Sequence, residues 1–162
     1  MRKKHTEPKL DKFDRLILDA LQSDGRLSNQ ELAERIGLSA APCWRRVKRL
    51  ESESVIDGYA AQLDHDKLGL NVTAFTFVSL ENHHPDSVEA FDKVISERPE
   101  VLECYSLSGQ HDFLLRIVAR DLASYEEFLT RHVLGIASVR SASTSFVLKR
   151  KKFTTRIPLP VT

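Results

Sequence analysis

The apolar positions in the first third of the chain recur three and four residues apart, which is the spacing of one face of an α-helix. They predict three short helices, at residues 11–23, 28–36 and 39–54. Ser28 and Glu31 form a capping-box pattern that begins the second helix, and Gly37 is suited to end it. The short turn from Gly37 to Ser39 then joins the second and third helices as in a helix-turn-helix.

The pattern changes beyond residue 70, where β-branched and aromatic residues form short runs. The runs and the helical periods between them predict strands at 72–80, 101–108, 113–119 and 139–148, and helices at 86–97 and 121–133. This β-α-β-β-α-β order is that of a ferredoxin-like sandwich, so we expect an α+β protein. Its predicted parts are a flexible N-terminus at 1–10, a helix-turn-helix domain at 11–64 with a short strand or hairpin at 55–64, a linker at 65–70, and a ferredoxin-like domain at 71–162.

Two of the predicted strands are apolar on both faces. In the run that begins at Phe113, the side chains of Leu115 and Ile117 alternate with those of Leu114 and Val118. Two helices cover only one face of a four-stranded sheet, and large exposed apolar patches mark contact sites. The same sheet from a second copy would cover the other face in a two-fold dimer. The alternative is that the N-terminal helices cover it.

Composition and charge narrow the classes of function. The chain has 162 residues and a formal net charge of +1, so its total charge favours no partner. The longest uncharged stretch of its apolar region, residues 68–80, has 13 residues and is too short to cross a bilayer. The two cysteines, Cys43 and Cys104, cannot form a disulfide framework and fit a reducing cytoplasm. We therefore expect a cytoplasmic protein with no membrane partner.

The third predicted helix carries a local excess of positive charge, because residues 39–50 contain four cations and no acid. At about 100° per residue, Ala41, Arg45 and Lys48 lie opposite the apolar side of the helix. Arg46 and Arg49 lie on a flank. The face opposite the core would enter a DNA major groove, with the flank placed for phosphates.

The start of the same helix is suited to a close approach of DNA. Ser39, Ala40 and Ala41 are small, and the free N–H groups of a helix N-terminus can hold a phosphate. Trp44 either contacts DNA or packs beneath a neighbour, and we leave it out of the direct contacts. A solvated basic face is the alternative for the whole helix. The predicted DNA-binding residues are Ser39, Ala40, Ala41, Arg45, Arg46, Lys48 and Arg49.

Several segments of the chain together resemble the Lrp/AsnC, or feast/famine, transcription regulators. They are LDKFDRLILDALQSDGRLSNQELAERIGLS at 10–39, PCWRRVKRLE at 42–51, SGQHDFLL at 108–115 and the ending TTRIPL at 154–159. The resemblance runs from about residue 10 to the end. It implies a DNA-binding helix-turn-helix joined to an effector-sensing domain of ferredoxin-like topology. It also implies dimers formed through the sheets, and often rings of four dimers.

The resemblance further implies an amino acid effector, bound near the turn between the second and third sensing strands, where dimers meet. Gly109 and Asp112 match the first and last positions of the family's turn, which reads Gly-Asp-x-Asp or Gly-x-x-Asp. Gln110 and His111 belong to the same predicted effector site, but they replace residues that vary or are acidic in relatives and so leave the identity of the effector open. Gly109 would allow backbone approach, and Asp112 would accept from an α-ammonium group or else only cap the turn. The other positions that resemble effector-sensitive ones are Ser106, Ser108, Leu122, Thr144 and Ser145.

The chain shows none of the common catalytic or metal-binding patterns. It has no Gly-rich phosphate loop, no Gly-x-Ser-x-Gly and no Cys-x-x-Cys, and no histidine has a helical i, i+4 partner. We therefore expect no cofactor, no metal and no enzymatic activity. One rival is a haem-precursor decarboxylase of the kind that resembles this family, with His111 as an acid, but its chemistry needs no basic helix. The other rival is a ligand-storage or interaction module without DNA.

The prediction is thus a sequence-specific DNA-binding regulator of amino-acid-related metabolism. Its expected partners are an operator in double-stranded DNA, an amino-acid-like effector, and further copies of itself in dimers that assemble into octamers.

Overall fold

A computed structural model of the protein describes residues 9–159, which form two compact units. The first unit comprises residues 9–62 and 152–159, and the second comprises residues 63–151. The expected flexible N-terminus lies almost wholly outside the described residues. The elements are α1 (Lys12–Ser23), α2 (Asn29–Ile36), α3 (Ala40–Ser52), β1 (Val72–Leu80), α4 (Pro85–Ser96), β2 (Val101–Ser106), β3 (Phe113–Ala119), α5 (Leu122–Phe128) and β4 (Val139–Phe146).

The three helices of the first unit begin and end where local chemistry requires. Asp11 caps α1 by exchanging backbone-to-side-chain hydrogen bonds with Asp14, and Ser28 and Glu31 do the same for α2. Gly37 ends α2 at φ +72°, a left-handed conformation that glycine adopts without a Cβ clash. The helices share one core of buried side chains, formed by Ile17, Leu18, Ala20, Leu32, Ala33, Ile36, Cys43 and Leu50.

The short strand or hairpin expected at 55–64 does not form. The N–H groups of Val55 and Ile56 both donate to the carbonyl of Leu50, and their side chains pack against the helical core. A strand needs a hydrogen-bonded neighbour, and none is present among the described residues at this point. The expected linker at 65–70 is an ordered turn, closed by hydrogen bonds between His65 and Leu70.

The C-terminal tail belongs to the first unit, whereas the sequence pattern places residues 71–162 in one domain. The side-chain amide of Gln22 in α1 brackets the backbone of Ile157: Oε1 accepts from its N–H at 2.5 Å, and Nε2 donates to its carbonyl at 3.2 Å. Arg156 pairs with Asp19 at 2.5 Å, and Leu159 packs against the helical core. These contacts join residues more than 130 positions apart, so no local pattern reveals them.

The second unit confirms the ferredoxin-like expectation. Its sheet is antiparallel in the order β2-β3-β1-β4, and α4 and α5 contribute to a single core on one face. The sequence predicts one helix over residues 121–133, but α5 ends at Phe128 and a π-helical turn, Leu129–Val133, follows it. The turn is closed by the N–H of Leu134, which donates to the carbonyl of Leu129 at 2.8 Å.

The face of the sheet that points away from this core is also apolar. On β1, Ala74 and Val78 point into the core, so the alternating Phe75 and Phe77 point to the other side. Leu114 of β3 is paired directly with Phe77 and shares its face. These three large side chains are each partly exposed, so an apolar surface is available on this side of the sheet.

Candidate nucleic-acid interface and effector-binding turn

Helix α3 presents a polar and basic face to solvent. It starts directly after Ser39, whose backbone is extended and whose hydroxyl caps no N–H group. Cys43 and Leu50 are completely buried, whereas Ala41, Arg45 and Lys48 are exposed on the opposite side. The small residues Ser39 and Ala40 are exposed as well. The start of the helix and one full stripe along it are therefore accessible to a large partner.

Two of the four cations on α3 are held by α1. Asp14 is completely buried, and it accepts from Arg46 at 2.8 Å and from Arg49 at 2.6 Å. Arg46 also pairs with Asp11 at 2.7 Å. The donated N–H of Asp14 and the neighbouring guanidinium hold the pKa of Asp11 below its ordinary value. Arg46 and Arg49 therefore fix α3 against α1, in addition to adding positive charge to its flank.

The other two cations on α3, Arg45 and Lys48, are not paired with α1. Lys48 pairs with Glu51 one turn away, at 2.7 Å, and more than half of its side chain remains exposed. Within residues 9–159, the side chain of Arg45 makes neither a hydrogen bond nor an ion pair. Its guanidinium group is therefore the one on this helix that is most available to a ligand.

The sequence prediction missed one residue of this site, the buried Asp14, and left another, Trp44, out of the direct contacts. Asp14 carries no signal of its own beyond its place in the cap of α1, because its pairing with α3 spans more than 30 residues. Trp44 is 53% exposed, next to Arg45, and so belongs to the accessible surface. The helical wheel gives that signal, since Trp44 lies about 60° from Ala41 at about 100° per residue.

The turn between β2 and β3 is built around Asp112. Its backbone N–H donates to Val78, and its carbonyl accepts from Leu107. Its carboxylate accepts from the N–H of Leu80 at 2.8 Å and from Nε2 of His83 at 2.6 Å. These two hydrogen bonds hold the pKa of Asp112 below its ordinary value, so the group is ionised at neutral pH. The turn-capping role is thus present, and about a fifth of the side chain remains exposed.

The rest of the turn faces solvent. Ser108, Gly109 and Gln110 are exposed, and Gly109 adopts φ +142°, which favours glycine. His111 is half-buried. Its Nδ1 lies 3.2 Å from the hydroxyl of Ser79, and its ring lies 5.3 Å from that of Phe77. The turn therefore offers exposed backbone groups beside one ionised carboxylate.

The remaining effector candidates do not lie together in one chain. Thr144 points into the core, where its hydroxyl is hydrogen-bonded to Tyr125 at 2.5 Å, and Ser145 alternates to the opposite face. Ser106 lies on β2 and Thr144 on β4, the two edges of the sheet, separated by three strand spacings of about 4.8 Å. Leu122 is exposed at the start of α5. The turn, residues 108–112, is the largest group of consecutive residues in the candidate set.

No helix between residues 9 and 159 is both long and apolar enough to cross a membrane. In the same span, no three His, Cys, Asp or Glu side chains are grouped as metal ligands.

Two family models match the chain, and they follow its two-part sequence pattern. A winged helix-turn-helix DNA-binding model matches residues 10–57, and a model of the Lrp/AsnC ligand binding domain matches residues 73–157. The first match contains α1 to α3, and the second contains the sheet from Thr73 onward with its helices.

Individual relatives match almost end to end. The DNA-binding transcriptional activator DecR of Escherichia coli K12 is 39% identical over 93% of this chain and 99% of its own length. A leucine-responsive regulatory protein of Rhizobium meliloti is 41% identical over 88% of this chain and 92% of its own length. Among solved structures, a transcriptional regulator of Neisseria meningitidis in complex with L-Met is 41% identical. It superposes with a TM-score of 0.88 over 92% of this chain and 96% of that one.

Proposed function

Because the chain belongs to the Lrp/AsnC family of transcription regulators, we propose that it is a sequence-specific DNA-binding regulator of amino-acid-related metabolism, modulated by an amino-acid-like effector. The observation that carries the proposal is the exposed face of α3. It combines small residues at the helix start with Arg45 and Lys48 along one stripe. Arg46 and Arg49 hold this helix against α1 through a buried carboxylate, which keeps the face in a fixed orientation.

We propose distinct roles for the α3 residues. Arg45 and Lys48 contact base edges in the major groove, where Arg and Lys pair with the acceptors of guanine. Ser39, Ala40 and Ala41 let the helix start approach the duplex and present N–H groups to a phosphate. Arg46 and Arg49 act first as supports for the helix and second as sources of positive potential. Trp44 adds an exposed aromatic contact to the sugar-phosphate backbone.

Replacing Arg45 by Ala is the direct test of this interface. We expect binding to a selected operator to weaken by about 1–3 kcal/mol, because the variant loses the contact of the Arg45 guanidinium with a base. The Arg45 side chain has no partner among the described residues, so its removal breaks no internal ion pair. Operators are first selected from genomic fragments, and affinity is then measured by fluorescence anisotropy. Arg120→Ala removes an exposed arginine from the second unit and serves as the control. Equal operator affinity in all three proteins would reject α3 as the contacting helix.

We further propose that the protein forms dimers through the apolar sheet face that contains Phe75, Phe77 and Leu114, and that four dimers assemble into an octamer. A two-fold axis would place equivalent apolar side chains against each other. Such a dimer also presents two α3 helices, as a palindromic operator requires.

We propose that the effector binds at the turn around Asp112, where two dimers meet. The carboxylate accepts from the α-ammonium group, and the exposed backbone near Gly109 accommodates the rest of the amino acid. Since Thr144 and Ser145 lie on β4, at the opposite edge of the sheet from β2, more than one chain would contribute to a site that includes them. An effector that binds one arrangement of dimers more tightly shifts assembly toward it, and so changes which α3 pairs reach DNA together.

Replacing Asp112 by Asn tests the effector site. The amide oxygen still accepts from the N–H of Leu80, but the negative charge is lost, so we expect operator binding to persist and the response to amino acids to disappear. Binding is measured with each common amino acid, beginning with methionine and leucine, because one relative was solved in complex with L-Met and another is named leucine-responsive. His83→Ala, which removes one of the two hydrogen-bond partners of the carboxylate and keeps its charge, is the control and should keep the response. A normal response in Asp112→Asn would place the effector elsewhere.

We also propose that the protein is not an enzyme and acts in the cytoplasm, where DNA and reduced thiols are found together. The relatives described above are regulators. His111, the acid that a decarboxylase would use, is half-buried beside Ser79 and Phe77. Cys43 and Cys104 are free thiols, as expected in a reducing compartment.

A further inference from the structure

The C-terminal part of the chain has a charge distribution that the proposed function does not use. From residue 128 to the end there are seven Lys and Arg and not one Asp or Glu, although the whole chain has a net charge of only +1. Four of these cations are consecutive, at Lys149, Arg150, Lys151 and Lys152. We call residues 149–152 the basic segment. Such a concentration of one sign favours an anionic partner.

The basic segment is accessible and lies outside the sheet. All four of its residues are exposed, and Leu148 just before them is 99% exposed. Among residues 9–159, no ion pair involves Lys149, Lys151 or Lys152. Protection of a sheet edge does not explain these charges, because β4 ends at Phe146 and the last hydrogen bond to β1 is made by Val147. Their positive charge is therefore available to a partner.

The chain that follows the basic segment is fixed to the DNA-binding unit. Thr155 accepts a hydrogen bond from Gln62, Arg156 pairs with Asp19, and Gln22 brackets the backbone of Ile157. Lys152 precedes Thr155 by three residues, which span at most about 11 Å of extended chain. The end of the basic segment is therefore tethered to the unit that carries α3.

From this placement, we propose that the basic segment is a second DNA contact, which binds backbone phosphates of a duplex without regard to sequence. Lysine side chains suit this role, because they act as mobile point charges that need no fixed geometry. Phosphate contacts position a protein on DNA and add affinity, whereas base contacts supply specificity. The segment would thus strengthen binding to any duplex and leave the choice of operator to α3. This inference rests on the proposed DNA-binding function.

The salt dependence of DNA binding tests the proposal. Each phosphate contact steepens the fall of log affinity with log salt by about 0.9. In the triple variant Lys149→Gln, Lys151→Gln, Lys152→Gln, we therefore expect a slope shallower by up to about 2.7. Between about 50 and about 200 mM salt, the wild type should then lose up to about 40-fold more affinity than the variant. The reduction should be the same for a selected operator and for a random-sequence duplex.

Matched variants make the result specific to the segment. The triple Lys→Arg variant keeps the charges and should behave as the wild type, while Lys67→Gln with Lys93→Gln removes two exposed lysines of the second unit and should leave the slope unchanged. A slope that is unchanged in the Lys→Gln triple variant would overturn the proposal. The proposal would also be overturned if the Lys→Gln triple variant lost binding to phosphatidylserine vesicles and not to DNA, because the partner would then be a membrane. If the wild type itself binds no duplex at low salt, the proposed function fails instead.

Discussion

Replacing Asp14 by Asn is expected to lower the free energy of unfolding of the DNA-binding unit by about 2–3 kcal/mol. The carboxylate is completely buried and accepts from Arg46, Arg49 and the N–H of Asp11. Asparagine can still accept from that N–H, but it leaves two guanidinium groups without their shared counter-charge. The cost is placed just below the range of about 3–5 kcal/mol for a broken buried pair, because both arginines are partly exposed.

Urea unfolding followed by tryptophan fluorescence measures this effect, since Trp44 on α3 is the only tryptophan of the chain. Asp19→Asn is the control. Asp19 lies on α1, like Asp14, and the variant breaks its exposed ion pair with Arg156. The free energy of unfolding should fall by no more than about 1 kcal/mol. If Asp14→Asn is no less stable than Asp19→Asn, the buried ion pairs are not what holds α3 in place.

The second large effect is expected from Leu114→Glu, which should convert the assembly into monomers. Leu114 lies opposite Phe77 at the centre of the apolar sheet face, so a dimer through this face buries two new carboxylates without partners. An unpaired charge buried at an interface costs about 2–5 kcal/mol, and the two-fold axis doubles it. The dimer dissociation constant should therefore rise by about a thousandfold or more.

Sedimentation velocity over a range of protein concentrations measures the change in mass. Leu68→Glu is the control, because Leu68 is an exposed leucine in the turn before β1, outside the sheet. It should sediment as the wild type does. Unchanged mass in Leu114→Glu would exclude this sheet face as the interface, and circular dichroism on the same samples shows that the variant is folded.

Much of the fold could be predicted because its signals are local. The runs that predict β1 and β3 coincide with the observed strands, since both are buried on the core face and flanked by polar residues. The capping box of Ser28 and Glu31 likewise locates the start of α2. The prediction of a strand at 55–64 is wrong because its signal is not local. A strand forms only beside a hydrogen-bonded neighbour, and the residue pattern alone does not show whether one exists.

The candidate DNA interface was predictable in outline but not in its division of roles. A helical wheel places Arg46 on a flank, nearer to the apolar side than Arg45, and a flank residue can turn toward solvent or toward a neighbouring helix. The buried Asp14 decides between these, and it comes from a different helix. In the effector turn, the resemblance gives the position of Asp112, but its contact with His83 depends on tertiary structure.

The return of the tail to α1 makes the second unit an insertion within the first. The polypeptide leaves the helical unit near residue 62 and re-enters it near residue 152. A protease that cuts once in the turn at 65–70 would break the chain between the helices and the sheet, but the noncovalent contacts of the tail with α1 would still hold the two fragments together. Releasing the helices then requires those contacts to break, and isolated helices that end near residue 62 would lack the tail segment to which Gln22 is hydrogen-bonded.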